Sequence, residues 1–190
     1  MAGAAEHASV RPERSRSTPR AAEIVAAARR VLEAEGAGAL TMRRLGTETG
    51  MRAPSLYKHF SDKASVESAL VEEGLAAFGE RLHDAVGAAG PGEGVRALLG
   101  AYRTLALDHP NLYRLATVGP LDRSRLPPGL EEWAGEPFFV VTGDPAVAQA
   151  LWSCAHGMVI LELDGRYPAG SDLSSTWSAA ADAFGALGAR

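Results

Sequence analysis

Apolar side chains fall into helical spacing from residue 24 onward. Ile24, Val25, Ala28, Val31 and Leu32 sit at i, i+1, i+4, i+7 and i+8, one face of a helix. Thr18 ahead of Pro19 offers a hydroxyl cap and a first-turn proline, and Gly36 a stop, so the pattern predicts a helix over 19–35. A second start at Thr41 carries Met42, Leu45 and Thr49 on one face and ends at Gly50 after about two turns. A third short helix runs from Ala53 to His59, with Leu56 and Phe60 pointing inward. Ser61-Asp62 opens a long fourth helix with Val66, Leu70, Leu75, Phe78 and Leu82 as its apolar positions, closed by the turn residues 87–94.

Beyond that turn, residues 95–110 read as an amphipathic helix that stops before Pro110, and 111–117 as another short one. Residues 119–145 hold five prolines, so a loop-rich region is expected there, with one helix around Leu130–Trp133 and an apolar patch at Phe138–Val141. A long, mostly apolar helix follows from Pro145 to about Leu163, capped by Asp144, and a last one carries Leu173, Trp177, Ala180, Ala181, Phe184 and Leu187. No stretch reads as a strand. The expected fold is all-α.

Composition narrows the setting. With 190 residues, 46% of them hydrophobic, the chain can bury one or two small cores. A single cysteine, Cys154, excludes an internal disulfide framework and a cysteine-based zinc cluster. The five histidines are scattered without ligand spacing, so neither metal nor cofactor is expected. No apolar run approaches the ~18 residues that a bilayer requires, and residues 1–20 lack the apolar centre of a signal peptide. A cytoplasmic protein with no membrane partner is expected.

Charge divides the chain. Residues 1–63 hold 11 Lys and Arg against 7 Asp and Glu, while residues 64–190 hold 8 against 16. A basic first third on an acidic remainder suggests that only the first part meets a polyanion. Residues 1–17 have almost no large apolar side chain and are expected to be a disordered basic arm. That arm, with Arg11, Arg14 and Arg16 and then Arg20, is either a solvated tail or a segment that touches nucleic acid.

Two short helices joined by a glycine-containing turn and packed on a longer one describe a helix-turn-helix, in which the second short helix enters the major groove and the first crosses the backbone. The polar positions suit that use: Arg43 and Arg44 lie on the crossing helix, Arg52 at the turn, Ser55, Lys58 and His59 on the polar side of the third helix, and Lys63 at the start of the fourth. Tyr57 can pack with its ring and hydrogen-bond a phosphate with its hydroxyl. Arginine can grip guanine in the groove, whereas lysine more often meets phosphate as a point charge.

The segments IVAAARRVLEAEG, LTMRRLGTETGM and SLYKHFSDKASVESAL, between Ile24 and Leu70, closely resemble the DNA-binding domain of the tetracycline-repressor (TetR) family of bacterial regulators. The resemblance implies that Thr41 and Arg43 open the crossing helix onto DNA. It further implies that Ala53, Pro54, Ser55, Tyr57 and His59 lie along the groove, and that Lys63 meets backbone. Arg52 departs from the pattern: the family commonly has a capping residue there, and arginine cannot accept from the free donors of a helix start. Pro54 offsets this by removing one donor. HPNLYRLAT and ALWSCAHGMVILELDGRYP look like the C-terminal region of a subgroup marked by a Trp…His-Gly pattern, here Trp152, His156 and Gly157. That resemblance implies a helical regulatory domain that dimerises through its last two long helices and holds a small-molecule cavity.

Several residues keep two readings. Tyr102, Tyr113, Trp133, Phe138 and Phe139 are either core or lining of an effector pocket. His156 is either a hydrogen-bonded core histidine or a polar group facing the effector, and Trp152, four residues earlier on the same helical face, either lines that cavity or packs. Cys154 reads as a small buried hydrophobe. Glu162 and Asp164, at i and i+2, do not share a helix face, and no nucleophile elbow or phosphate-binding glycine loop occurs, so an enzyme is not expected.

The domain organisation predicted is a helix-turn-helix domain over 18–64 and an effector and dimerisation domain over 65–190. The function predicted is a DNA-binding transcriptional regulator. It works as a homodimer on a near-palindromic double-stranded operator, and a small molecule releases it. The alternative is a helical ligand-binding or scaffold protein without DNA-binding activity.

Overall fold

The caps marked in the sequence at Thr18, Thr41, Asp62 and Asp144 are all formed in the computed structural model, which describes residues 10–13, 15 and 17–188. Thr18 accepts from the Ala21 amide at the head of α1 (Pro19–Glu35), and Gly36 closes it with φ +81°. Thr41 accepts from the Arg44 amide to start α2 (Met42–Thr49), and Gly50 ends it in the left-handed region that favours glycine. Arg52 gives α3 (Ala53–Tyr57) no side-chain cap, while Pro54 lies in its first turn. Asp62 and Ser65 form a reciprocal capping box on α4 (Lys63–Gly87). The hydrogen bond from the Ser65 amide holds the Asp62 carboxyl below its ordinary pKa.

The remaining helices are α5 (Gly94–Asp108), α6 (Pro110–Thr117), α7 (Leu130–Thr142), α8 (Pro145–Leu163) and α9 (Leu173–Gly188). No strand occurs among the described residues. Residues 1–9, 14 and 16, which make up most of the expected basic arm, lie outside the described residues.

Two cores follow from where the apolar faces point. The head core joins Ile24, Val31 and Leu32 of α1 to Leu45, Leu56, Val66 and Leu70, and takes in Leu112 from α6. The body core joins Phe78 and Leu82 of α4 to Leu98, Tyr102, Tyr113, Phe138, Leu151 and Trp177. Helix α4 thus supplies its first two turns to the head and its later turns to the body. A smaller cluster sits where Trp133 of α7 crosses α4 at Gly79. An added Cβ at Gly79 would stand 2.3 Å from the Trp133 ring, so only glycine admits this approach.

The proline-rich region departs from expectation. Leu130–Thr142 is one continuous helix with Pro137 inside it, where the sequence predicts one turn and a separate patch. Proline removes the amide that would bond to the carbonyl four residues back, here Trp133. His83 on α4 supplies the missing donor: its Nε2 lies 3.0 Å from the Trp133 oxygen, with the imidazole stacked on the indole at 4.9 Å. A carbonyl only accepts, so Nε2 carries the proton. A partner from another helix thus lets the helix run through the proline.

Helix α8 also differs from expectation. At 19 residues it is long and apolar enough to match a membrane span by length and composition, although Gln149, Ser153 and His156 interrupt the apolar run along the sequence. Leu151, Met158 and Val159 are buried against the body core, while Trp152 and Leu161 are exposed. Its C-terminal end is fastened by a clasp in which Arg103 of α5 meets Glu162 at 2.6 Å and Trp177 of α9 donates to the same carboxylate at 3.1 Å. Burial would push the Glu162 carboxyl up, but the guanidinium and indole outweigh it and hold it below the ordinary value.

Candidate DNA-reading face and effector cavity

The head presents α2 and α3 on its outside. Leu45 and Leu56 are buried, and Gly46 lets the two helices close up, since a Cβ there would stand 3.0 Å from the Met51 carbonyl. The opposite faces are polar. Thr41, Arg43, Arg52, Ala53, Pro54, Ser55, Tyr57, Lys58 and Lys63 are all exposed, and His59 is half-buried. Among the described residues, no carboxylate pairs with Arg43, Arg52 or Lys58. Lys63 is held at its ammonium, with Nζ 3.1 Å from the Ala37 carbonyl and 3.2 Å from Glu67.

Arg44, expected on the same face, is held by two carboxylates instead. Its guanidinium donates to Glu35 of α1 at 2.6 Å and to Glu48 at 2.9 Å. These hydrogen bonds raise the Arg44 pKa and lower that of Glu48. The i, i+4 spacing of Arg44 and Glu48 was the available signal for one of these pairs. Nothing in the sequence marked Glu35.

The described part of the N-terminal arm runs onto the body. Arg11 pairs with Glu80 of α4 and lies over the Trp133 ring at 5.9 Å, and the Ser15 amide donates to Glu72 at 2.8 Å.

A cavity of about 570 Å³ opens in the body between α4, α5, α7, α8 and the segment after α6. Tyr102, Phe138 and Trp152, three of the six residues expected at an effector site, line it, as does Phe139. Trp133 belongs to the cluster at Gly79 instead, because the α4–α7 crossing closes over its ring. Tyr113 and His156 stand behind the wall in a hydrogen-bonded chain: the Tyr102 and Tyr113 hydroxyls are 2.9 Å apart, and the Tyr113 hydroxyl is 2.7 Å from His156 Nδ1. His156 stacks on Tyr113 and on Trp152. Burial pushes the Tyr113 phenol up to about 12, raises Tyr102 well above its usual value, and lowers the His156 imidazole. Burial also raises the Cys154 thiol, which disfavours the reactive thiolate. Sequence reasoning did not find Leu75, Arg123, Glu131, Ala134 or Gln149, which also line the cavity. Ordinary apolar periodicity hid the first and fourth, and a loop and two helix surfaces carry the others.

Helix α6 stands between the two sites. Its exposed N-terminal donors are taken by Glu33 of α1, which accepts from the Asn111 and Leu112 amides at 3.2 and 3.0 Å. Asn111 returns a bond to the Glu33 carbonyl at 3.1 Å. Leu112 fills the head core, Tyr113 the body core, and Ala116 and Thr117 the cavity wall.

Residues 24–70, the helix-turn-helix with its supporting helices, match the pattern of bacterial regulatory proteins of the tetR family. Residues 95–184 match the tetracyclin repressor-like C-terminal domain. An HTH-type transcriptional regulator of Mycobacterium tuberculosis, Rv0681, is 30% identical over 151 residues, covering 75% of this chain and 69% of the relative. The chain belongs to the TetR family. It is a DNA-binding transcriptional regulator, and the family is one of regulators rather than enzymes. The family assignment decides against a scaffold without DNA-binding activity.

Solved structures agree on the fold of this TetR-family chain. A protein of unknown function from Rhodococcus sp. RHA1 superposes with a TM-score of 0.76 at 25% identity, covering 89% of this chain and 95% of that one. TetR-Q116A from Acinetobacter baumannii AYE, solved in complex with minocycline, superposes at 0.58 with 23% identity, covering 88% and 93%.

Proposed function

We propose that this regulator is a homodimeric repressor that leaves a near-palindromic operator when a small molecule occupies the body cavity. The observation that carries the reading is the position of α6. One helix has its N-terminus fixed to the head by Glu33 and its C-terminal turn in the cavity wall. Occupancy of the cavity acts on DNA affinity only if the ligand binds the two head arrangements unequally. A rigid helix shared by both cores is a direct means of making that difference.

On the DNA side, Arg43, Lys58 and Lys63 meet phosphate, with Thr41 and Tyr57 as hydroxyl contacts. Arg52, Ala53, Pro54, Ser55 and His59 lie along the groove. Arg44 is left out of this surface, because the two carboxylates Glu35 and Glu48 hold its guanidinium, whereas Lys63, beside the single carboxylate Glu67, keeps one of its three donors for phosphate. The helix-turn-helix domain spans about 18–64 and the regulatory domain 65–190. Trp152, His156 and Gly157 support assigning the body to a Trp…His-Gly subgroup. The exposed apolar side chains Trp152, Leu161 and Leu187 on α8 and α9 support a two-fold interface there. That pairing sets two reading helices roughly 34–36 Å apart, one turn of duplex. Covering α8 in this way is also what supports a soluble, cytoplasmic protein.

Selection of bound sequences from random DNA with the purified protein tests the reading, followed by titration against the recovered site. A two-fold symmetric site and a steep fall of log affinity with log salt are expected. Recovery of a single asymmetric half-site by a monomer would sink the dimeric model.

A further inference from the structure

Charge within the cavity is already balanced. Arg123 and Glu131 are the charged side chains in its wall among the described residues, and they neutralise each other through a two-point contact at 2.5 and 2.8 Å. The pair stands on the solvent side of the cavity, with the Arg123 side chain 70% exposed, so a charge drawn inward toward Tyr102 leaves both partners behind. Of the remaining polar side chains, Gln149 is exposed and Thr117 spends its hydroxyl proton on the Tyr113 carbonyl, and the buried part of the wall is hydrocarbon and aromatic, with Phe78, Leu82, Ala134, Phe138 and Ala148 around Tyr102. A ring system placed there meets other rings and aliphatic carbon, and an isolated charge would be desolvated without a free partner.

The Tyr102 hydroxyl begins the three-membered chain through Tyr113 to His156. Such a chain has two polarities. With the imidazole proton on Nε2, Nδ1 accepts from Tyr113, the Tyr113 oxygen accepts from Tyr102, and Tyr102, one lone pair of which faces the Trp152 indole donor, offers a ligand only its other lone pair. With the proton on Nδ1, the imidazole donates to Tyr113, Tyr113 donates to Tyr102, and the Tyr102 proton is free for a ligand acceptor. The tautomer of a histidine behind the wall thus sets what the wall presents.

We propose that the cavity takes an uncharged, largely aromatic molecule held by one hydrogen bond to the Tyr102 hydroxyl, with Tyr113 and His156 as positioning residues that fix whether Tyr102 donates or accepts. The inference rests on the reading of this cavity as the effector site and adds the chemical class of its occupant.

Three tricyclic probes test it on the intact protein: carbazole, a neutral N–H donor; 9-fluorenone, a neutral carbonyl acceptor; and fluorene-9-carboxylate, an anion of similar shape. Calorimetry is expected to show both neutral probes binding at least about tenfold more tightly than the anion, as desolvation of an unpaired charge requires. Tyr102→Phe keeps the ring and is expected to weaken both neutral probes by about three- to tenfold, the scale of one hydrogen bond. Nitrogen-15 NMR of the His156 imidazole supplies a readout that mere packing would not move. Carbazole should leave the proton on Nε2 and fluorenone should bring it to Nδ1, and Tyr113→Phe should abolish that response while both probes still bind.

Equal or tighter binding of the carboxylate overturns the uncharged class, and so does binding by none of the three. An unchanged His156 tautomer with both neutral probes overturns the relay. If the carboxylate alone binds and releases DNA, the class falls while the ligand-responsive regulator stands. If the neutral probes fill the cavity and operator affinity does not change, the regulator reading falls while the class stands.

Discussion

Head and body are built from the same amino acids toward opposite ends. In the head, short helices close on a small core of Leu and Ile, and charged pairs on the outside, such as Arg44 with Glu35 and Glu48, fix how α2 sits on α1. In the body, longer helices leave a cavity of about 570 Å³ and expose Trp152 and Leu161 on α8. The head presents its reading helices to a polymer, and the pairs that seat α2 on α1 lie within about ten residues of each other in the chain. The body keeps a cavity open, and its fittings are long-range: His83 to Trp133, Arg103 to Glu162, Tyr113 to His156.

The sharpest way to break this contrast is to empty the head core. Leu56→Ala removes a fully buried side chain that joins α3 to α1 and α4, and should cost about 2–5 kcal/mol. Thermal unfolding followed together with probe binding should show DNA affinity lost while the body cavity still fills. Simultaneous loss of both would mean that head and body melt as one. Overfilling the α4–α7 crossing with Gly79→Ala comes next. The Trp133 ring must move away from the new methyl, at a cost of about 1–3 kcal/mol in denaturant titrations. DNA affinity measured well below the melting temperature should change little.

Glu33→Gln targets the joint itself. The amide can still accept one of the two α6 donors but loses the charge, so a loss of about 1 kcal/mol is expected. Ligand-induced release of operator should weaken more than affinity for either DNA or ligand alone, which a linkage titration measures. Neighbouring arginines give a finer comparison. Arg43→Ala should lower affinity for every duplex and flatten the salt dependence by about one contact. Arg44→Ala should chiefly lower the melting temperature of the head. Equal salt slopes for the two variants would return Arg44 to the DNA face. The smallest effect is acid sensitivity in the body. The His156 pKa is lowered on folding, so the unfolded chain binds the proton more readily, and stability should fall as pH drops below about 6.5 toward the depressed folded value. His156→Gln should flatten the body's melting temperature across that range.

Legibility in the sequence follows the same division. Thr18, Thr41, Asp62, Gly36 and Gly50 announce head helices because caps and stops are local hydrogen-bonding events written within a few residues. The exposure of Arg43, Arg52 and Ser55 follows from periodicity once the helices are placed. Arg44 shares that exposed pattern, and only the packing of α1 on α2 shows that Glu35 reaches it. Body features resist such reading. Pro137 argues for a break, and the group that cancels the argument lies 54 positions earlier in the chain, on another helix. Aromatic residues announce burial but not which of them face a void: Tyr102 and Tyr113 look alike in sequence, and one lines the cavity while the other stands behind it.

The bond between His83 and the carbonyl freed by Pro137 has an evolutionary consequence. Losing the histidine alone strands a carbonyl, and replacing the proline alone makes the imidazole compete with a restored amide. Descent should therefore treat positions 83 and 137 as a coupled pair, so that in a deep alignment of this lineage a proline at one is accompanied by a donor at the other.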